Sequence, residues 1–113
     1  MSPITTHVLD TSQGRPAQGL SVRLEVRSTN GRFKTLARGV TDASGRVADL
    51  LPDGHLKRGV YRLTFDTGSY FRAVKAAGFY PGVSVLFEVR DPAQHYHVPL
   101  LLSPYGYSTY RGS

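Results

Sequence analysis

Apolar and polar residues alternate strictly along several stretches of the chain, the pattern of strands with one face turned to a core. Leu20, Val22, Leu24 and Val26 alternate with Ser21, Arg23, Glu25 and Arg27. Tyr61, Leu63 and Phe65 alternate with Val60, Arg62, Thr64 and Asp66, and Val83, Val85, Phe87 and Val89 share one face of a third run. Tyr96, Val98, Leu100 and Leu102 make a fourth inward face near the C-terminus. Turn-forming residues separate the runs, at Ser28-Thr29-Asn30-Gly31, Asp42-Ala43-Ser44-Gly45, Pro52-Asp53-Gly54 and Asp91-Pro92. Short strands punctuated in this way predict an all-β sandwich. One segment departs from the period of two. Ser69 to Gly78 predicts a single short helix, with Ser69 as N-cap, Gly78 as a left-handed cap and Pro81 beyond it. Phe71 and Val74 would then pack on the sandwich.

With 113 residues the chain has room for one domain, expected to span 1–113. At 40% hydrophobic and 19% charged it is composed like a globular protein and not like a disordered one. The apolar stretch Val98-Pro99-Leu100-Leu101-Leu102 is far too short to span a bilayer. The start, Met1-Ser2-Pro3-Ile4, lacks both the basic residues and the apolar stretch of a secretory signal, so a cytoplasmic protein away from membranes is expected. The absence of cysteine excludes disulfides, thiolate catalysis and thiolate metal sites together. A net charge of +6 raises the possibility of a polyanion partner, but the Arg and Lys residues are scattered, with no run longer than two. We read a solvated basic surface with no nucleic-acid partner, one whose field also favours a small anionic substrate.

Chemistry enters on the faces turned away from the core. Opposite the inward face of the C-terminal strand lie His95, His97, Pro99 and Leu101. In the next strand Gly106, Ser108 and Tyr110 share a face, and near the N-terminus His7 and Leu9 lie opposite Val8. A face turned to water would normally be charged. This one mixes imidazoles, hydroxyls and sizeable apolar groups, the composition of an interface or ligand site. Pro99 removes a ladder donor and belongs at an edge or a bulge. Histidine, with an ordinary pKa of about 6.5, is suited to proton transfer near neutrality. His95 and His97 with His7 could offer three nitrogens to a metal, but no carboxylate or thiolate motif completes the set and His55 lies in a turn, so no metal is expected. Tyr105 and Tyr107 are expected to be core or interface packing.

Three blocks of sequence resemble one family. They are Thr6-His7-Val8-Leu9-Asp10 with Gly14-Arg15-Pro16-Ala17, the central Thr41-Asp42-Ala43-Ser44-Gly45-Arg46, and the whole of His95 to Ser113, closing in Tyr110-Arg111-Gly112-Ser113. They occur in the order found in the 5-hydroxyisourate hydrolases, enzymes similar to transthyretin, and the closing tetrapeptide is what separates these from transthyretin itself. The resemblance implies a transthyretin-like β-sandwich of two four-stranded sheets with one short helix. It also implies a homotetramer, a dimer of dimers, with active sites in the channel between dimers and the C-terminus ordered there. The implied reaction is hydrolysis of 5-hydroxyisourate to 2-oxo-4-hydroxy-4-carboxy-5-ureidoimidazoline in urate degradation, with no cofactor. By position His7, Arg46, His97, Ser108 and Tyr110 match the family's site residues. His7 and His97 would position and deprotonate water, and Arg46 would bind the ring and stabilise developing charge. Ser108 and Tyr110 would hold water or substrate through their hydroxyls. A transthyretin-like carrier of a small hydrophobic ligand is the alternative, but it would want an apolar, open channel. A generic adhesion-type sandwich would leave the grouped histidines unexplained.

Overall fold

The computed structural model describes residues 2–113; Met1, first residue of the expected 1–113 domain, lies outside them. The described chain runs through β1 (Ile4–Asp10), β2 (Arg15–Pro16), β3 (Ser21–Arg27), β4 (Phe33–Val40), β5 (Arg46–Val47), β6 (Gly59–Phe65), α1 (Thr67–Ala73), β7 (Val83–Val89), β8 (Tyr96–Ser103) and β9 (Gly106–Thr109). Two sheets form. One has the order β2-β1-β8-β9 with β5 also on β1, and the other the order β4-β3-β6-β7. The β1–β8 pairing is parallel and the others are antiparallel.

The first sheet thus has five strands where four were expected. The reason is local: β2 and β5 share one edge of β1, β2 meeting Leu9 and Asp10 while β5 meets Thr6 and His7. Elements of two residues have no alternation to read. Nor does β4, an edge strand whose residues are mostly exposed, so that little burial is imposed on its sequence.

The inward positions read from alternation form the core. Leu20, Leu24, Leu63, Phe65, Leu100 and Leu102 are fully buried between the sheets. Each contributes on the order of 1.5–3 kcal/mol relative to an exposed side chain. Thr6 also faces inward, and its hydroxyl is satisfied by donating to the Val98 carbonyl at 2.6 Å. Asp10 ends β1 buried. Burial alone would raise its pKa, yet hydrogen bonds from Tyr70, Ser12 and Gln13 hold the carboxyl below the ordinary value. The Tyr70 hydroxyl donates to Asp10 Oδ2 at 2.7 Å, which ties α1 to the end of β1.

The helix begins and ends earlier than Ser69 to Gly78. Asp66 is the N-cap, its carboxylate accepting from the Ser69 N–H at 3.1 Å, and the helix closes after Ala73. Both Asp66 and Ser69 are capping residues, and the one that follows the strand directly takes the role. Lys75, not Gly78, adopts the left-handed backbone, at φ 58°. Gly78 is needed for space instead, because a Cβ there would press on the Phe71 ring.

Glu25 lies on the outer face of β3 yet is buried. Arg62 forks onto it with two bonds of 2.9 Å, and Thr64 donates at 3.2 Å. The Arg62 guanidinium also stacks on Phe33 at 4.0 Å. The bond from Arg62, with help from the charge of Arg23, holds the Glu25 carboxyl below its ordinary pKa of 4.5. A depressed carboxylate contributes stability above its unfolded pKa and loses it as pH falls through the folded value. Glu25→Gln is therefore expected to lower stability by about 1.5–3 kcal/mol at pH 7. The deficit should shrink as pH falls below 4.5, which urea unfolding across the acid range measures.

Candidate active site

The outer face of the first sheet gathers the ionisable groups. Residues paired across a ladder point to the same side of a sheet. Thr5 pairs with His97, His7 with both Pro99 and Arg46, Leu9 with Leu101, and Leu101 with Ser108. His7, Arg46, His97 and Ser108 therefore share one face across β5, β1, β8 and β9. Arg46, the residue implied by resemblance alone, sits directly beside His7 because the Asp42–Gly45 turn delivers β5 to that edge. The Asp42 carboxylate accepts from the Ser44 N–H at 2.9 Å and the Arg46 N–H at 3.0 Å, and these bonds hold its pKa below the ordinary value.

A cavity of about 430 Å³ opens on this face, lined by Thr5, Arg46, His95, His97 and Ser113 among others. Thr5, His95 and Ser113 line it as well; alternation sets His95 on this face without giving it a role, and the resemblance implies an ordered C-terminus here, whereas Thr5 is not singled out at all. Alternation in Thr5-Thr6-His7 is the available signal for Thr5. Of the predicted site residues Arg46 and His97 line this cavity, while His7, Ser108 and Tyr110 do not. Tyr110 borders a separate cleft of about 230 Å³ with Leu86, Phe87 and Tyr96, between the free edges of β7 and β9.

Pro99 explains the course of the chain at Tyr110. The β8–β9 ladder ends at Leu100 with Thr109, then resumes in the same register where the Gly112 N–H donates to the His97 carbonyl at 2.8 Å. Pro99 falls two residues from His97, at the position whose N–H should face Tyr110, and it has none. The Thr109 hydroxyl takes up the Pro99 carbonyl at 2.7 Å, and Tyr110 and Arg111 leave the ladder. Arg111 then lies over the Tyr96 ring at 4.5 Å and donates to the Gln94 side chain at 2.8 Å. The C-terminal residues are thereby brought back against the site.

His7 and His97 each have a defined partner. His7 Nε2 lies 2.8 Å from the Ser44 carbonyl. A carbonyl only accepts, so Nε2 carries the proton and neutral His7 keeps its lone pair on Nδ1. His97 Nδ1 lies 2.8 Å from the Thr5 hydroxyl. Burial, then the nearby charges of Arg46, His95 and His7, push His97 below the ordinary imidazole pKa, against a smaller opposing effect of Thr5. His97 is thus neutral at pH 7 and able to accept a proton. Gly112 packs on its ring: a Cβ at that position would stand 2.6 Å from His97 Cδ2. Gly112→Ala is expected to tilt the ring and lower turnover by about 10–10²-fold while leaving the unfolding midpoint nearly unchanged; steady-state kinetics beside thermal unfolding check both.

Tyr105 and Tyr107 are not core residues, being 71% and 43% exposed. Tyr107 instead packs edge-on against Tyr80 at 5.1 Å, and Tyr80 against Phe79 at 4.9 Å. Among the described residues no helix is long and apolar enough to cross a membrane.

A two-sheet sandwich with a single short helix and an outer face of imidazole and guanidinium is a transthyretin-type fold carrying groups fit for acid–base chemistry. The model of the HIUase/Transthyretin family matches residues 4–112. The 5-hydroxyisourate hydrolase of Mus musculus is 46% identical over 113 residues, covering 99% of this chain and 96% of its own. The structure of Klebsiella pneumoniae 5-hydroxyisourate hydrolase superimposes with a TM-score of 0.84 at 37% identity, covering 97% of this chain and 98% of its own. Transthyretin from Sparus aurata superimposes with a TM-score of 0.94 at 31% identity, covering 99% and 97%. The chain belongs to the HIUase/Transthyretin family.

Proposed function

We infer that this protein, as a single domain, hydrolyses 5-hydroxyisourate to 2-oxo-4-hydroxy-4-carboxy-5-ureidoimidazoline. The observation that carries the reading is the pairing of His7, Arg46 and His97 on one sheet face, in a chain 46% identical to a hydrolase of that name. Fold alone does not decide, since a transthyretin superimposes as well as a hydrolase does. The chemistry of the face does. A carrier of hydrophobic ligands gains nothing from two imidazoles and a guanidinium on its channel wall, whereas ring opening needs them.

Water attacks the ring amide carbonyl, and a neutral imidazole removes its proton as the bond to oxygen forms. Arg46 stabilises the charge that develops on the carbonyl oxygen. The carbon–nitrogen bond then breaks, and the proton held by imidazole passes to the leaving nitrogen. Ser108 and Tyr110 contribute hydroxyls to substrate or water from the neighbouring strand and its extension. Their position outside the cavity of one protomer fits a site completed by assembly into a homotetramer, a dimer of dimers. So do the unpaired edges of β7 and β9 and the exposed Leu86, 61% accessible on the edge strand β7.

The test is to add the protein to freshly made 5-hydroxyisourate, with and without excess chelator, and follow ultraviolet absorbance beside solution molar mass. Accelerated decay in both samples and the mass of four chains are expected. Decay at the uncatalysed rate would sink the reading.

A further inference from the structure

Thr5 is bonded to two imidazoles at once. Its Oγ1 lies 2.8 Å from His97 Nδ1 and 3.1 Å from His95 Nε2. The two rings lie side by side at 6.3 Å, inclined by 15°. A threonine hydroxyl has one proton to give and lone pairs to receive. It can therefore pass its proton to one of the two nitrogens facing it while accepting from the other. In that arrangement the protonation of one imidazole fixes the tautomer of the other.

We propose that Thr5 is a positioning residue, which passes its proton to His95 and thereby holds His97 with hydrogen on Nδ1 and a lone pair on Nε2. The proposal rests on His97 acting as base in the hydrolysis. Two observations set the direction. Arg46 lines the same cavity as His97, and its fixed positive charge opposes a proton on the nitrogen not committed to Thr5. His95 is exposed and precedes β8, so its remaining nitrogen exchanges protons with water freely, whereas His97 is half-buried within the sheet.

The arrangement also gives the abstracted proton a route. When His97 Nε2 takes a proton from water, the Nδ1 proton moves to Thr5 Oγ1 and the threonine proton moves to His95 Nε2. His95 then releases its Nδ1 proton to solvent. Each of the three residues gains one proton for every one it loses, both imidazoles end with the proton on Nε2 in place of Nδ1, and the net transfer is one proton from water to bulk. Delivery of the proton to the leaving nitrogen instead leaves the relay in its starting state, so hydroxyl and imidazole serve either branch.

The test combines side-chain ¹⁵N spectra of the histidines with kinetics of Thr5→Val, Thr5→Ser and His95→Phe. In the wild type, His97 is expected to show a protonated Nδ1 and an unprotonated Nε2. Thr5→Val keeps the shape but not the hydroxyl. It should shift His97 toward the other tautomer and lower kcat by about 10–10²-fold with KM within about twofold, less than the ~10⁴ lost when a serine-protease triad is given the wrong tautomer. Thr5→Ser should restore both readings, and His95→Phe, which removes the acceptor, should resemble Thr5→Val. An unchanged His97 tautomer in Thr5→Val, or Thr5→Ser as impaired as Thr5→Val, would overturn the proposal. The spectra need no turnover, so they report on the relay even if 5-hydroxyisourate is not the substrate.

Discussion

Turnover of 5-hydroxyisourate by His97→Ala is expected to fall by about 10²–10⁴-fold, the range associated with loss of a general base, and that by His7→Ala to fall into the same range. Neither change threatens the fold, because both rings lie on the outer face and neither fills the core between the sheets. Two groups that act on one water behave as a unit, so the double variant should lose little more than the worse single. The pH dependence supplies a sign that a structural role would not. Burial and neighbouring charge depress the His97 pKa, so the neutral, active form persists below the ordinary imidazole value of 6.5. The acid limb of kcat/KM should therefore have its midpoint below pH 6.5 and should reshape when His97 is removed. Linkage runs the same way. A folded pKa below the unfolded one means that the unfolded chain binds more protons between the two values. The contribution of His97 to stability is complete above pH 6.5 and is lost as pH falls toward the folded value. Rates near that of the wild type in both single variants would remove the imidazoles from the mechanism.

Alternation made most of this arrangement legible because burial acts on long strands one residue at a time. The inward faces of β3, β6, β7 and β8 are the alternating runs of the sequence, and the outer positions of β1 and β8 carry His7 and His97 to one surface. What alternation could not reach was set by contacts distant in sequence. Arg46 belongs to a strand of two residues whose pairing with His7 depends on a turn. Thr5 reads as an ordinary half-buried threonine until His95 and His97 are folded onto it. Tyr110 shares the parity of Ser108, and parity would place both on the face that carries His7 and His97. Pro99 breaks the ladder opposite Tyr110, so parity fails there for a reason present in the sequence but located in another strand. The N-cap lies three residues earlier than expected because Asp66 and Ser69 compete for one capping role.

Gly45→Ala should be the most damaging single methyl that this surface can receive. Gly45 stands where neither short strand pairs with β1, between β2 on Leu9 and Asp10 and β5 on Thr6 and His7. The unpaired edge groups of Val8 are satisfied by the loops: the Val8 N–H donates to the Gly45 carbonyl at 2.7 Å, and its carbonyl accepts from the Ala17 N–H at 3.0 Å. The backbone of Gly45 is left-handed, at φ 77°, and a Cβ there would overlap the Val8 carbonyl oxygen and stand 3.0 Å from Pro16 Cβ. Strain and overlap fall on backbone that no rotamer change relieves, so a loss of roughly 2–4 kcal/mol is expected by urea unfolding. Moving the loop moves Arg46 and the Ser44 carbonyl that orients His7, so turnover should fall by about 10–10²-fold in the fraction that remains folded. Gly14→Ala is the matched control. Its φ of 65° carries similar strain, but nothing lies within 4 Å of the added carbon. It should cost only about 1 kcal/mol and leave turnover unchanged. Equal losses in the two variants would mean that left-handed strain alone matters at Gly45 and that its close approach to β1 does not hold the arginine in place.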